Sequence, residues 1–262
     1  MIDTALLNWT LNSLLVLVIV ITRVAPLLFF MPVIGAKNVP SQIKMLLVLA
    51  VSLIIAPSVA VNAAQMPVTA LGFALFALNE ICFAAILAFF ARLIFDAIQL
   101  AGQMIGIQMG MAMAGVMDPQ FGNQVSLVGQ LWTMTAFLIF LAIDGHHIFF
   151  STLVESYRWV APGTLHLTQA TYNAILEAVA HMFILGVKIM APASAAIFFS
   201  HIAMGIIAKT VPQIPILIVG MPMNIVVGLL FVGLSMGYFL PIMLGQFESL
   251  ARLLPRLAQG MG

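Results

Sequence analysis

From Thr210 to Phe247 the chain carries no charged side chain. A helix needs ~20 apolar residues to cross the hydrocarbon core of a bilayer, and this run is longer than that. A helix on the surface of a soluble protein needs a polar face, which the run does not supply. The stretches Asn8–Met31, Ile43–Val61, Val68–Ala101, Val125–Ile143 and Thr171–Lys209 are also predominantly apolar. The whole chain has 9 Lys+Arg and 8 Asp+Glu, or 6% of 262 residues. A soluble domain carries about 25%. So few charges cannot build a polar shell, which excludes a soluble monomer. The high apolar content equally excludes a disordered chain. Cys82 stands alone, so no intramolecular disulfide and no cysteine-rich metal site can form. A net charge of +1 leaves no electrostatic footprint for nucleic acid. An integral membrane protein remains, or a subunit buried in a very apolar assembly.

The pattern predicts an all-α fold of about six helical segments in one domain, residues 1–262. The first apolar stretch reads as a retained helix, because Arg23 lies inside it and no basic region precedes it. The basic residues are scattered; Arg252 and Arg256 favour a cytoplasmic C-terminus. Breakers fall inside the runs. Pro192 predicts a break in Thr171–Lys209, and Pro212, Pro215, Pro222 and Pro241 argue against one straight helix after Thr210. Non-helical backbone at membrane depth must be covered by protein or face a water cavity. Two readings stay open on the residues alone. Neighbouring subunits cover the broken backbone, or the kinks are satisfied internally as in many transporters. A transporter predicts internal repeats and a polar midplane site, and neither is evident.

Catalytic and cofactor chemistry finds no foothold. There is no G-x-S-x-G elbow, no H-E-x-x-H and no phosphate-binding G-x-x-x-x-G-K. His146 and His147 are adjacent and do not share a helix face, which argues against a metal. We therefore expect no enzyme, no cofactor and no metal. Arg23, Glu80, Arg92, Asp96, Glu177 and Lys188 lie in or near apolar runs. Each costs roughly 2.5–3.5 kcal/mol at a helix centre and needs a partner or water. Arg92 and Asp96 stand four apart on one helix face, and that spacing favours a structural pair over an ion path.

The densest local signal runs from Gly102 to Pro119. Small residues recur at Gly102, Gly106, Gly110 and Ala114, and methionine at Met104, Met109, Met111, Met113 and Met117. On a helix the small residues would form a face that admits another backbone closely. Glycine also weakens a helix, and methionine adapts to irregular surfaces. The segment therefore reads either as ordinary packing or as a deformable seal. A second signal, Val211 to Met223, brackets a short apolar stretch with Pro212, Pro215, Gly220 and Pro222 and predicts a hairpin tip buried among helices.

These residues resemble the FliR family of flagellar type III secretion export-gate proteins. The resemblance is carried by Gly102–Gly110 followed by Asp118-Pro119, by Asp144-Gly145-His146-His147, and by Pro212-Gln213 with Val219-Gly220-Met221-Pro222. Arg23, Pro26, Gly35 and Pro40 fit the family's N-terminal pattern. Met221, Asn224 and Pro215 depart from the residues usual at those places. The resemblance implies helical hairpins with broken helices, in one subunit of a pore built with FliP-like and FliQ-like subunits. It implies an FlhB-like switch protein at the entrance, lipid around the assembly and unfolded flagellar proteins as substrates, with no nucleic acid and no cofactor. It implies a bacterial inner-membrane location in the flagellar basal body. The loop 106–123 would be the plug, with Gly106, Met109, Gly110, Met111, Met113, Met117 and Phe121 closing the pore.

Overall fold

The computed structural model describes residues 4–32, 34–35, 39–59, 67, 69–111, 126–213 and 216–262, with side chains from Asn12 onward except at 216 and 217. The described residues form seven α-helices and no strand. They are α1 (Thr4–Phe30), α2 (Ser41–Ile55), α3 (Ala70–Gln108), α4 (Leu127–Ala142), α5 (Gly145–Trp159), α6 (Gln169–Thr210) and α7 (Ile216–Gln259). A single 3-10 turn, Ala56–Ser58, extends α2 through Pro57. Five helices are long and apolar enough to cross a membrane, and α4 with α5 counts as a sixth if taken as one broken span. The chain is an all-α integral membrane protein.

Contacts gather into two compact units. The first holds residues 1–92, 144–178 and 248–262, and the second 93–143 and 179–247. In the first, α1 packs on α2, and α1 buries a stripe of Ile19, Val20, Arg23, Val24, Leu27 and Leu28. The 3.6-residue period puts these on one face, so Arg23 is carried inward with its apolar neighbours. The first part of α3 buries Phe76, Glu80, Phe83 and Leu87 by the same spacing. In the second unit, Trp132 of α4 stacks on Phe239 of α7 with centroids 5.9 Å apart. Phe95, Phe137, Phe140 and Phe247 cluster beside them at centroid distances of 4.7 to 6.1 Å.

The prolines act differently from expectation. Pro192 sits inside α6 without ending it. Pro222 and Pro241 lie inside α7, which continues to Gln259. A proline removes one helical N–H, but in apolar surroundings the other backbone bonds have no water to exchange with, so the helix persists around it. The chain turns instead at Val211–Gln213, between α6 and α7. That turn is exposed in this chain, where the sequence predicts a buried tip.

Length is the most constraining result. The helices α3, α6 and α7 have 39, 42 and 44 residues. At 1.5 Å per residue they run about 58, 63 and 66 Å, against a hydrocarbon core of about 30 Å. Exposed apolar side chains follow α7 from Ile218 (71%) to Leu240 (47%), and beyond them Glu248, Ser249 and Arg252 are exposed. That is about 33 Å of helix, close to the ~30 Å hydrocarbon core.

Candidate functional site

The second unit contains the entrance to the glycine–methionine segment. The helix α3 stops in a six-residue cap around Gly110. Gly110 has φ +81°, its N–H bonds the Ile107 carbonyl (2.9 Å), and the Met111 N–H bonds the Gly106 carbonyl (3.0 Å). This pair of bonds satisfies the last carbonyls of α3, and it needs a left-handed residue that glycine adopts at little cost. Gly110 therefore leaves the helical face shared by Gly102 and Gly106.

Those two glycines do admit close neighbours. A β-carbon on Gly102 would overlap the backbone of Gly129, and one on Gly106 would meet Ser126 Oγ at 2.9 Å. Ser126 is the N-cap of α4. Its hydroxyl accepts from the Gly129 N–H (3.3 Å) and donates to the Gly102 carbonyl (2.6 Å). Thr133 Oγ1 donates to Gln99 Oε1 one turn further along (3.2 Å). The chain thus leaves α3 at Met111 and re-enters α4 at Ser126, with both points in contact with Gly106. Met109 is fully buried, and its thioether fills the space a side chain on Gly228 of α7 would need. Met111 is half-buried. Met113, Met117 and Phe121 lie outside the described residues, as does Pro215.

The late-hairpin residues fall into two places. Pro212 is in the exposed turn, while Gly220 is buried and Pro222 exposed in the first turns of α7. Met221 lies 3.6 Å from where a Gly110 β-carbon would sit. Asn224 accepts a hydrogen bond from Ser200 Oγ (2.8 Å), tying α7 to α6. Two of the three departures from the family pattern thus make specific contacts in the second unit. Arg92 and Asp96 are both exposed on one face of α3, and neither lacks a partner.

The first unit holds a buried polar centre that the sequence reading did not assemble. Arg23 Nε and Nη2 form a forked pair with Glu80, the second bond at 3.0 Å. Both side chains are almost wholly buried, at 0% and 2% exposure. Arg23 Nη1 donates to Ser156 Oγ (3.1 Å), and both Nη atoms reach the Val160 carbonyl (3.3 Å). Phe83 and Tyr157 lie over the guanidinium at 4.7 and 4.3 Å. Glu80 also accepts from the Gly163 N–H (2.7 Å), and Asn79 donates to the Gly163 carbonyl (3.0 Å). Every guanidinium nitrogen is therefore bonded, and the centre holds α1, α3, α5 and the turn after α5 in one arrangement. Its partners are 57 residues apart, so spacing could not pair them. The available signal was only that each lone charge needed some partner.

The family of bacterial export proteins, family 1, matches residues 14–250. The flagellar biosynthetic protein FliR of Escherichia coli (strain K12) is 27% identical over 232 residues, 88% of each chain. That of Bacillus subtilis (strain 168) is 31% identical over 182 residues, 66% of this chain and 68% of its own. This chain belongs to the FliR family. The same name is borne by a relative from Aquifex aeolicus (strain VF5), 26% identical over 226 residues. As a FliR-family member with several apolar membrane-length helices, the chain is a membrane-embedded component of the flagellar export apparatus. The match takes in α2 to α6 whole and all but the ends of α1 and α7, and so includes both the Arg23 centre and the α3–α4 junction.

Proposed function

We propose that this chain, acting as one export-gate domain over 1–262, is a subunit of the flagellar type III export gate in the bacterial inner membrane. With FliP-like and FliQ-like subunits it forms a pore for unfolded flagellar proteins, an FlhB-like protein sits at the entrance, and flagellum assembly depends on it. The need for protein neighbours is supported by membership of an export-apparatus family and by α3, α6 and α7, whose lengths exceed the bilayer core about twofold. We propose further that the segment from Gly106 to Asn123 is the plug. The observation that carries this is the junction at Gly106, where the segment departs and returns. Because Met111 and Ser126 both meet Gly106, α3 and α4 are held to each other independently of the residues between them. Methionines suit such a closure, because flexible apolar side chains exclude water without bonding to a passing chain.

The test is to delete residues 113–121, sparing the Gly110 cap and Ser126, and to measure membrane conductance and secretion together. The expected variant assembles with its partners and leaks ions and small solutes. A variant that stays tight to ions while exporting normally would reduce the segment to packing and end the plug assignment.

A further inference from the structure

Ahead of α5 the chain makes an unusual turn. Asp144 has φ 55° and ψ 31°, left-handed values that a residue with a β-carbon adopts only at a cost. It holds the N-cap position, where an aspartate normally accepts from the first backbone N–H groups of the helix, yet its carboxylate makes no such bond. The oxygen instead faces His147, with Oδ1 3.9 Å from Nδ1. The rings of His146 and His147 lie 4.2 Å apart. His146 Nδ1 is buried and has no hydrogen-bond partner. One donor atom from each of Asp144, His146 and His147 falls within 4.8 Å of the others. Adjacency in sequence argued against a shared site, because neighbouring residues on a helix diverge. The left-handed turn and the first residues of α5 bring the three together.

We propose that Asp144, His146 and His147 bind one divalent transition-metal ion. Tetrahedral ligands at ~2.0–2.2 Å from a common ion stand about 3.3–3.6 Å apart, so donors within 4.8 Å of one another close on an ion by an approach of about 1.2 Å shared between two side chains. Asp144 and His147 are 69% and 68% exposed, and packing does not prevent such a shift. Two imidazoles with one carboxylate suit zinc, cobalt or nickel better than calcium or magnesium, which prefer oxygen ligands throughout. Three protein ligands leave positions for water. The carboxylate offsets the positive end of the α5 dipole, which would otherwise oppose a cation there. The ion would also occupy a carboxylate that does not cap its helix.

The experiment uses the full chain in complex with its co-expressed FliP-like and FliQ-like subunits, purified in mild detergent through a tag without histidine on this chain, stripped with chelator and titrated with cobalt. One cobalt per chain is expected, with visible d–d absorption that zinc abolishes. His146→Ala and His147→Ala should each weaken binding by at least the roughly tenfold that loss of a mere outer-shell partner costs. His181→Ala, distant in sequence and bonded to Gln246, should leave binding unchanged. Should the alanine variants fail to fold, His147→Cys keeps a ligand at the position and should add a thiolate-to-cobalt charge-transfer band in the near ultraviolet. Absence of stoichiometric cobalt binding, binding unchanged in both alanine variants, or a cysteine variant that binds cobalt without that band would each overturn the proposal.

Discussion

At the scale of single residues, the Arg23–Glu80 pair dominates. An ion removed from water costs several kcal/mol, recovered only when its partner and remaining donors are all satisfied. Here they are, through Ser156, the Val160 carbonyl and the Gly163 N–H. Removing one partner strands the other charge, so Arg23→Met or Glu80→Leu alone should destabilise by about 3–5 kcal/mol. The double variant should recover most of that loss, because neither charge remains. Thermal unfolding of the purified complex with its partner subunits, followed by protease resistance of this chain, would read this out; a double variant as unstable as either single one contradicts it. For Arg92 and Asp96 we propose a structural pair without a role in ion transport. Both are exposed in this chain, so neutralising both should leave assembly and proton flux intact, while neutralising one is worse for assembly. A double variant that assembles normally but loses proton flux would show the pair to be functional.

At the scale of elements, α3 and α7 meet through Met109 and Gly228. A methyl group at Gly228 would collide with the Met109 thioether. Overpacking of this kind typically costs 1–3 kcal/mol, and truncating a buried methionine about 2–5. Gly228→Ala and Met109→Ala should each destabilise, and the combination should be better than the sum, since each change relieves the other. The cap at the end of α3 behaves differently. Gly110→Val places a β-branched residue in a left-handed conformation, costing more than the 1–2 kcal/mol of an ordinary side chain. Export should fall while α4 and α7 remain folded, measurable as secretion against complex yield. Normal secretion by Gly110→Val would mean that the segment beyond α3 does not depend on how the helix ends.

At the scale of the whole molecule, the controlling quantity is helix length. Helices of about 58–66 Å exceed the bilayer core twofold. The parts of α3, α6 and α7 beyond the core lie outside the hydrocarbon, where we propose that partner subunits meet them. Expressed alone, the chain should aggregate or be degraded. Co-expression with FliP-like and FliQ-like subunits should yield a stable complex in mild detergent. A monodisperse, protease-resistant monomer obtained without partners would contradict this. The sequence-based argument reached the same expectation through Pro192, Pro212, Pro215 and Pro222. The described helices run through Pro192 and Pro222, so helix length, and not exposed backbone, now carries it.

What the sequence determined by itself was what local physics controls. Apolar runs longer than a span need no partner to be recognised, and they dictate helix and membrane. The family was legible for the same reason, since Gly102–Gly110 and Asp144–His147 are contiguous in the chain. Three things were decided only by tertiary structure. Arg23 and Glu80 pair across 57 residues, and no periodicity encodes which charge meets which. Pro192 does not break α6, because the tolerance of a helix for proline depends on its surroundings. Asp144 turns left-handed and draws two histidines beside its carboxylate, because backbone direction at one residue, invisible in a residue list, sets where the two histidine side chains that follow converge.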